Sequence, residues 1–183
     1  VLDPGWAVLG VADFNGDWRD DLLLQDETGR VFTWEMDNGA VASEGDVITL
    51  GSEWHFLATG DFNGDWHDDI IWRHDNGAVA MWQMDGRAII NGGGLTALGA
   101  EWSLAGVGDF NRDGCEDLLW RRDDGVVFIW NMDGMTIESG AATSAFAGPE
   151  WTLGAVADIN GDGYSDLIWQ RADGTVFSWQ MQN

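Results

Sequence analysis

The sequence predicts an all-β fold, a β-propeller of four-stranded blades built from four repeats of about 48 residues. Two observations lead there. First, a nine-residue acidic loop recurs as DFNGDWRDD from Asp13, DFNGDWHDD from Asp61, DFNRDGCED from Asp109 and DINGDGYSD from Asp158, at intervals of 48, 48 and 49 residues. A fixed period of this length is the mark of a repeat architecture. Second, the segments between loops are short, rich in Val, Ile, Phe and Trp, and bounded by Gly, Asp or Asn. These are strand and hairpin signals, and no stretch sustains a 3.6-residue apolar period. Four strands in about 48 residues is the size of a propeller blade; a parallel β-helix, the competing reading, has shorter repeats and tighter turns.

Each element follows in order. A tryptophan opens every repeat seven residues before its loop, at Trp6, Trp54, Trp102 and Trp151. After the loop comes an apolar run: LLLQ at 22–25, IIWR at 70–73, LLWR at 118–121 and LIWQ at 167–170. A glycine turn follows at Gly29, Gly77, Gly125 and Gly174, then VFTWEM at 31–36, VAMWQM at 79–84, VFIWNM at 127–132 and VFSWQM at 176–181. The strands of the first repeat are predicted at 6–12, 21–26, 30–36 and 40–50, with the acidic loop joining the first to the second. In the third strand Phe32, Trp34 and Met36 share one face and Val31, Thr33 and Glu35 the other. One face is heavily apolar and the other mixed, so stacked sheets are expected to bury the first fully and the second in part.

The predicted domain organisation is a single propeller domain or propeller segment over residues 1–183, with repeats 6–53, 54–101, 102–150 and 151–183, the last incomplete. By alignment Val1 and Leu2 stand where the end of the outer strand falls in other repeats. They are candidates for a stub that closes a four-bladed ring. The alternatives are part of a larger propeller or half of a symmetric assembly, since an open outer edge favours pairing with another chain. The chain begins VLDPGW, without a methionine or signal peptide, and reads as a mature or excised piece.

Eight basic residues stand against 32 acidic ones, a formal net charge of -24. Nucleic acid and anionic lipid are excluded as expected partners, because phosphate binding needs the opposite balance. No apolar run approaches a membrane span, so no membrane insertion is expected. The single cysteine, Cys115, forms no intrachain disulfide, and its neighbours Asp113, Glu116 and Asp117 argue against a reactive thiolate.

The acidic loops carry the chemistry. In the first, Asp13, Asn15, Asp17 and Asp21 place side-chain oxygens at positions 1, 3, 5 and 9, and the carbonyl of Arg19 adds one at position 7. The equivalent sets are Asp61, Asn63, Asp65, His67 and Asp69; Asp109, Asn111, Asp113, Cys115 and Asp117; and Asp158, Asn160, Asp162, Tyr164 and Asp166. Six or more oxygens suit Ca²⁺ at about 2.3–2.6 Å, while Mg²⁺ wants a tighter octahedron and zinc wants Cys and His. The expected cofactor is Ca²⁺, up to four ions, one per repeat. Four such ions would reduce the net charge of -24 to -16, so metal binding and folding are expected to be coupled. Asp20, Asp68 and Glu116 are expected to be solvated neighbours. An EF-hand is excluded, because Leu24, Trp72, Trp120 and Trp169 stand where its glutamate belongs.

The nine-residue loop, and the whole unit DFNGD…DLLW…DG.V..W.M, resembles the FG-GAP and VCBS repeat family, which includes the propeller of integrin α-subunits. The resemblance covers nearly the entire chain. It implies a β-propeller with Ca²⁺ between the first and second strands of each blade, and an extracellular or cell-surface, adhesive or ligand-binding setting. Two features depart from the family pattern. Position 6 is usually glycine, as in Gly114 and Gly163, but is Trp18 and Trp66 in the first two repeats; a positive φ there would cost free energy. Position 4 is Arg112 in the third loop, where the others have glycine.

Of the 13 tryptophans, most are explained by packing. Trp34, Trp82, Trp130 and Trp179 read as inter-blade core, Trp72, Trp120 and Trp169 as second-strand core, and the four opening tryptophans as wedges between blades. Trp18 and Trp66 sit in hydrophilic loops and are the candidate ligand-binding residues. The expected function is a calcium-stabilised, non-enzymatic recognition or adhesion module that binds glycan or protein through propeller loops. No nucleophile elbow or isolated acid pair is present, so no catalytic residue is assigned. The alternatives are the propeller of a polysaccharide-degrading enzyme, for which His55, His67 and His74, which lie only in the first two repeats, are the candidate singular residues, or a self-assembling scaffold that forms a homo-oligomer.

Overall fold

The computed structural model describes residues 4–146 and 148–182, with the side chains of 141–146 outside the description. Among the described residues every regular element is a strand. The first repeat folds as β1 (Trp6–Ala12), β2 (Asp21–Asp26), β3 (Arg30–Asp37) and β4 (Ala40–Thr49). The second gives β5 (Trp54–Gly60), β6 (Asp69–His74), β7 (Ala78–Asp85) and β8 (Ala88–Ala97). The third gives β9 (Trp102–Gly108), β10 (Asp117–Arg122), β11 (Val126–Asp133) and β12 (Thr136–Phe146), and the fourth β13 (Trp151–Ala157), β14 (Asp166–Arg171) and β15 (Val176–Trp179). Each repeat is one antiparallel meander in chain order, four-stranded in the first three and three-stranded in the last. These are the predicted propeller blades, with the strand ends of the first repeat within one residue of expectation. The stub expected from Val1 and Leu2 lies outside the described residues.

Three local rules build each blade. A bulge interrupts the first strand at the same place every time, between Val8 and Gly10, Phe56 and Ala58, Leu104 and Gly106, and Leu153 and Ala155. Such a bulge sharpens the twist of the strand and turns its end. The second strand is covered on both sides, which is why it reads as an unbroken apolar run. At the hairpin after it, Gly29 adopts φ 83°, and a Cβ there would lie 2.1 Å from the Leu50 carbonyl oxygen. Only glycine satisfies both demands.

The chain divides into two compact units, Val1–Asp61 with Asp65–Ala97, and Phe62–Gly64 with Leu98–Asn183. Within the first, Ala12, Leu23 and Val31 of one blade share a core with Ile70, Trp72 and Met84 of the next. Within the second, Leu119, Val127 and Ile129 share a core with Leu167 and Trp169, bordered by Trp179 and Met181. The packing rule is the same in both: the valine face of one blade lies against the tryptophan face of its successor.

This corrects the expected ranking of the two faces. Val31 and Thr33, on the face expected to be partly covered, are fully buried, whereas Phe32, Trp34 and Met36 are only half-buried. The small valine face is buried because large tryptophan and methionine side chains of the next blade fill the space above it. A face's own hydrophobicity does not decide its burial; the partner it meets does.

Candidate functional site

The acidic loops fold back on their own amides in a repeated pattern. At position 1, Asp13 accepts hydrogen bonds from the backbone N–H of Asp17 at 3.2 Å and of Trp18 at 2.7 Å. Asp61 accepts from Asp65 and Trp66 at 3.1 and 2.8 Å. Asp109 accepts from Asp113 and Gly114 at 3.2 and 3.0 Å, and Asp158 from Asp162 and Gly163 at 3.2 and 2.9 Å. At position 5, Asp17, Asp65, Asp113 and Asp162 each accept from the amide of position 7, at Arg19, His67, Cys115 and Tyr164, over 2.8–3.0 Å. At position 3, Asn15, Asn111 and Asn160 accept from the amide of position 5 at 3.0, 2.9 and 2.8 Å. Asn63 occupies the same place in the second loop and is half-buried.

The ninth residue is set apart by burial. Asp21, Asp69, Asp117 and Asp166 are all fully buried. Each accepts the amide of the methionine two residues after the third-strand tryptophan: Met36 at 2.8 Å, Met84 at 3.0 Å, Met132 at 2.9 Å and, just past β15, Met181 at 2.8 Å. The second carboxylate oxygen of Asp117 takes the Phe110 amide at 2.9 Å, and that of Asp166 takes the Ile159 amide at 3.2 Å. This carboxylate therefore ties position 2 of the loop to the third strand. Sequence reasoning assigned it to the metal set and missed this clamp. The repeated Met in W-x-M was its only signal.

Burial pushes the Asp117 carboxyl up to about 7, against its two amide donors and with the charges of Asp113 and Asp109 adding to the rise. Burial likewise raises Asp21 to about 6, with Asp13 and Asp17 contributing. In the first and third loops the carboxylates at positions 1 and 5 thus act electrostatically on position 9, and a cation among them would hold all three ionised. The donor set common to the four loops, carboxylate and amide oxygens without shared His or Cys, fits a hard cation. Among the described residues no three acidic, His or Cys side chains converge as a metal cluster.

Positive φ occurs at both positions 4 and 6. At position 6, Trp18 and Trp66 take φ 66° and 71°, where Gly114 and Gly163 take 89°. At position 4, Arg112 takes φ 63°, in line with Gly16, Gly64 and Gly161. The two strained tryptophans are 76% and 66% exposed, and their rings lie 5.2 Å apart at 45°. Position 6 of consecutive loops thus carries an aromatic pair in the first unit. In the second, the Arg112 guanidinium lies 5.9 Å from the Tyr164 ring, directed toward the next loop.

Asp68 corrects an expectation. It is half-buried rather than freely solvated: its carboxylate accepts the Asp13 amide at 2.8 Å and its own amide donates to the Asp13 carbonyl at 2.8 Å. Burial raises its pKa. Asp20 is exposed, as expected. The Ser165 amide donates to the Asp109 carbonyl at 2.7 Å, so position 8 links consecutive loops in both units. Trp72, Trp120 and Trp169 are fully buried, each against the third-strand tryptophan of its own blade at 4.9–5.3 Å. The opening tryptophans pack on their own blades: Trp6 on Phe32, Trp102 on Phe128 and Trp151 on Phe177. Trp54 and Trp151 also border the inter-blade cores. The histidines have separate local partners. His55 bonds Asp75 at 2.7 Å, His74 packs edge-on to Trp54, and His67 lies 3.7 Å from Asp85.

A family model described as the FG-GAP-like repeat matches residues 61–120 and 109–169. No protein with a curated description matches the chain. Among solved structures, BBS1N in complex with ARL6DN is similar at 13% identity and a TM-score of 0.52, over 100% of this chain and 54% of that one. The chain thus spans about half the length of that neighbour. The computationally designed Ika4 protein is similar at 12% identity and a TM-score of 0.48, over 99% of this chain and 94% of that one. BamB from Moraxella catarrhalis is similar at 21% identity and a TM-score of 0.42, over 87% and 40%. With two overlapping matches spanning more than half its length, and the motif of those repeats continued on both sides, the chain belongs to the FG-GAP-like repeat family.

Proposed function

We propose that the chain is a calcium-stabilised, non-enzymatic recognition module of the extracellular space or cell surface. The observation that carries this reading is the fourfold recurrence of one loop geometry. Carboxylates at positions 1 and 5 wrap the loop, and a buried carboxylate at position 9 anchors it. In each loop the residues at positions 1, 3, 5 and 9, with the carbonyl at position 7, would hold one Ca²⁺. The ion would supply the positive charge that offsets mutual repulsion among the loop carboxylates. Its role is structural: it couples loop closure to folding.

Recognition is assigned to the loop surface that bears Trp18 and Trp66. Two exposed rings held against each other, on consecutive loops that offer no core to bury them, form an apolar platform in an acidic surround. Sugar faces stack on such rings, so glycan is the proposed ligand class, with a protein partner second. The strongly acidic surface argues against nucleic acid.

One experiment tests the reading. Thermal unfolding is recorded in EDTA and across a calcium titration, with magnesium as the control, and a glycan array is probed in both states. At 100 times its dissociation constant an ion adds about 2.7 kcal/mol per independent site. A calcium-selective rise in Tm, with array binding lost in Trp18→Ala and Trp66→Ala, supports the proposal. An unchanged Tm removes the metal, and an array signal indifferent to both substitutions removes the tryptophan platform.

A further inference from the structure

Asparagine is chemically labile, most of all before glycine, whose missing side chain leaves its amide nitrogen unshielded from the asparagine carbonyl. The sequence holds six such pairs, beginning at Asn15, Asn38, Asn63, Asn76, Asn91 and Asn160. The fold treats them differently. Gly77 gives its amide to the His74 carbonyl at 2.8 Å, and Asn76 accepts the Ala78 amide at 2.9 Å. Gly161 gives its amide to Asp158 at 2.7 Å, and Asn160 is tied through both side-chain atoms to Asp162. Asn15 accepts the Asp17 amide at 3.0 Å, and Asn63 stands at the same place in the second loop. Asn38 is set in a two-residue hairpin turn, at φ 51° with Gly39 at 80°, and donates to Asp37 at 2.7 Å. At Asn91 the arrangement is another one. The Gly92 amide donates to the side-chain oxygen of Asn91 itself at 3.0 Å, and the Asn91 Nδ2 is held by Gln83 Oε1 at 2.7 Å. The glycine nitrogen thus lies within one bond of the carbon it would attack, and both residues are exposed.

We propose that Asn91 is a site of spontaneous modification, where the chain attacks itself and converts the asparagine to aspartate and isoaspartate. Hydroxide takes the proton of the Gly92 amide, and the nitrogen forms a bond to Cγ of Asn91. The Cγ–Nδ2 bond breaks, and Nδ2 leaves as ammonia with protons drawn from water. One water then opens the five-membered succinimide at either of its two carbonyls. The net change consumes one water and releases one ammonia, with no oxidant or reductant. Two features of β8 favour it. The attacking nitrogen is held near its target before reaction, which removes part of the entropic barrier. Three consecutive glycines, Gly92, Gly93 and Gly94, let the last strand of this sheet turn during ring closure. The products alter the second blade. Buried Gln83 loses the Nδ2 donor it accepts and must turn its own amide toward the new carboxylate. Isoaspartate also adds one carbon to the main chain, which takes β8 beyond residue 91 out of register with β7.

The test compares the folded chain with the same chain in urea, both held at mildly alkaline pH until the urea sample has converted. Peptide mapping by mass spectrometry reads the exchange of amide for acid at each of the six asparagines, and isoaspartyl methyltransferase labelling reads the isomerised product. Ion exchange counts the added negative charge. Asn91→Thr is the control, since threonine suits an exposed strand position and cannot cyclise. In the folded chain Asn91 is expected to convert ahead of the other five, at a rate that rises with pH, and to yield a species one charge more acidic that the control does not form first. In urea the six are expected to convert at similar rates, because each is followed by the same residue. A folded chain with Asn91 intact when the urea sample has reacted overturns the proposal. So does another asparagine that leads in the folded chain. A lead of Asn91 that persists undiminished in urea overturns it as well, since the geometry of β8 would then have no part in the reaction.

Discussion

Asp13 and Asp68 exchange two hydrogen bonds, each of 2.8 Å, so that the first residue of one acidic loop is held by the eighth residue of the next. One bond is backbone to backbone and survives replacement of the Asp68 side chain by Asn or Ala. The other uses the Asp68 carboxylate, whose pKa burial raises. Asn at this position can still accept the Asp13 amide and carries no charge to desolvate. Asp68→Asn is therefore expected to match or exceed wild-type stability at neutral pH. Asp68→Ala, which leaves that amide without its acceptor, is expected to lose about 1 kcal/mol. Urea unfolding in EDTA separates the two. Equal losses in both variants would show that the charge, not the bond, matters.

Trp18 and Trp66 hold a backbone conformation that costs an L-residue about 1–2 kcal/mol, and they recover part of it by stacking at about 0.5–1.5 kcal/mol. The stack is lost once, with the first tryptophan removed, while strain is relieved at each. The first glycine substitution is therefore expected to be close to neutral. The second is expected to stabilise, leaving Trp18→Gly/Trp66→Gly more stable than either single variant by roughly 1 kcal/mol. A double-mutant cycle by denaturant unfolding reads this directly. If the second substitution costs as much as the first, the strain argument fails.

The raised carboxylates fix the sign of the pH dependence. Asp21 and Asp117 move from 3.8 to about 6 and about 7 in the folded chain, so between pH 4 and these values the folded state binds more protons than the unfolded. Stability then falls as pH rises through that window. In EDTA, Tm is expected to be higher at pH 5 than at pH 7.5. Metal in the loops would hold the same carboxylates ionised, so the dependence should flatten or invert in calcium. A metal-free protein whose Tm rises with pH over this range would contradict the burial argument.

The strands, the loops and the repeat register were legible in the sequence because period and turn chemistry are local. A tryptophan every 48 or 49 residues, acidic loops and hairpin glycines mark the same blade four times. The fate of each face was not legible. Val31 looks like the weaker side of its strand, yet it is buried by residues 39 to 53 positions further on, among them Ile70, Trp72 and Met84. Asp68 was misread for the same reason, since its partner Asp13 lies 55 residues away. The ninth aspartates stand out by recurrence alone, and the amides that hold them lie 15 residues downstream, on the third strand or just past its end. Alignment locates a position that recurs; it does not say which backbone group that position meets.

The buried second-strand tryptophans supply a last test, one that sets polar cost against packing. Among the described residues the buried indole N–H groups of Trp72, Trp120 and Trp169 meet no acceptor, and a donor in that state costs about 1–3 kcal/mol. Their counterpart in the first blade is Leu24, also fully buried, so the position itself makes no demand for an N–H. The ring is retained for its area and for its contact with the third-strand tryptophan, 4.9 Å away at Trp130 in the third blade. Beside it, an open pocket of about 220 Å³ is lined by Leu98, Trp102, Trp120, Phe128 and Trp130. Trp120→Phe removes the orphan donor and keeps a ring, so its loss of packing is offset and the net change should be within about 1 kcal/mol. Trp120→Ala gives up the ring as well and should cost about 3–5 kcal/mol. Chemical denaturation of the two variants distinguishes an aromatic site from an indole site. A phenylalanine variant as damaged as the alanine one would mean that the indole N–H contributes to stability after all.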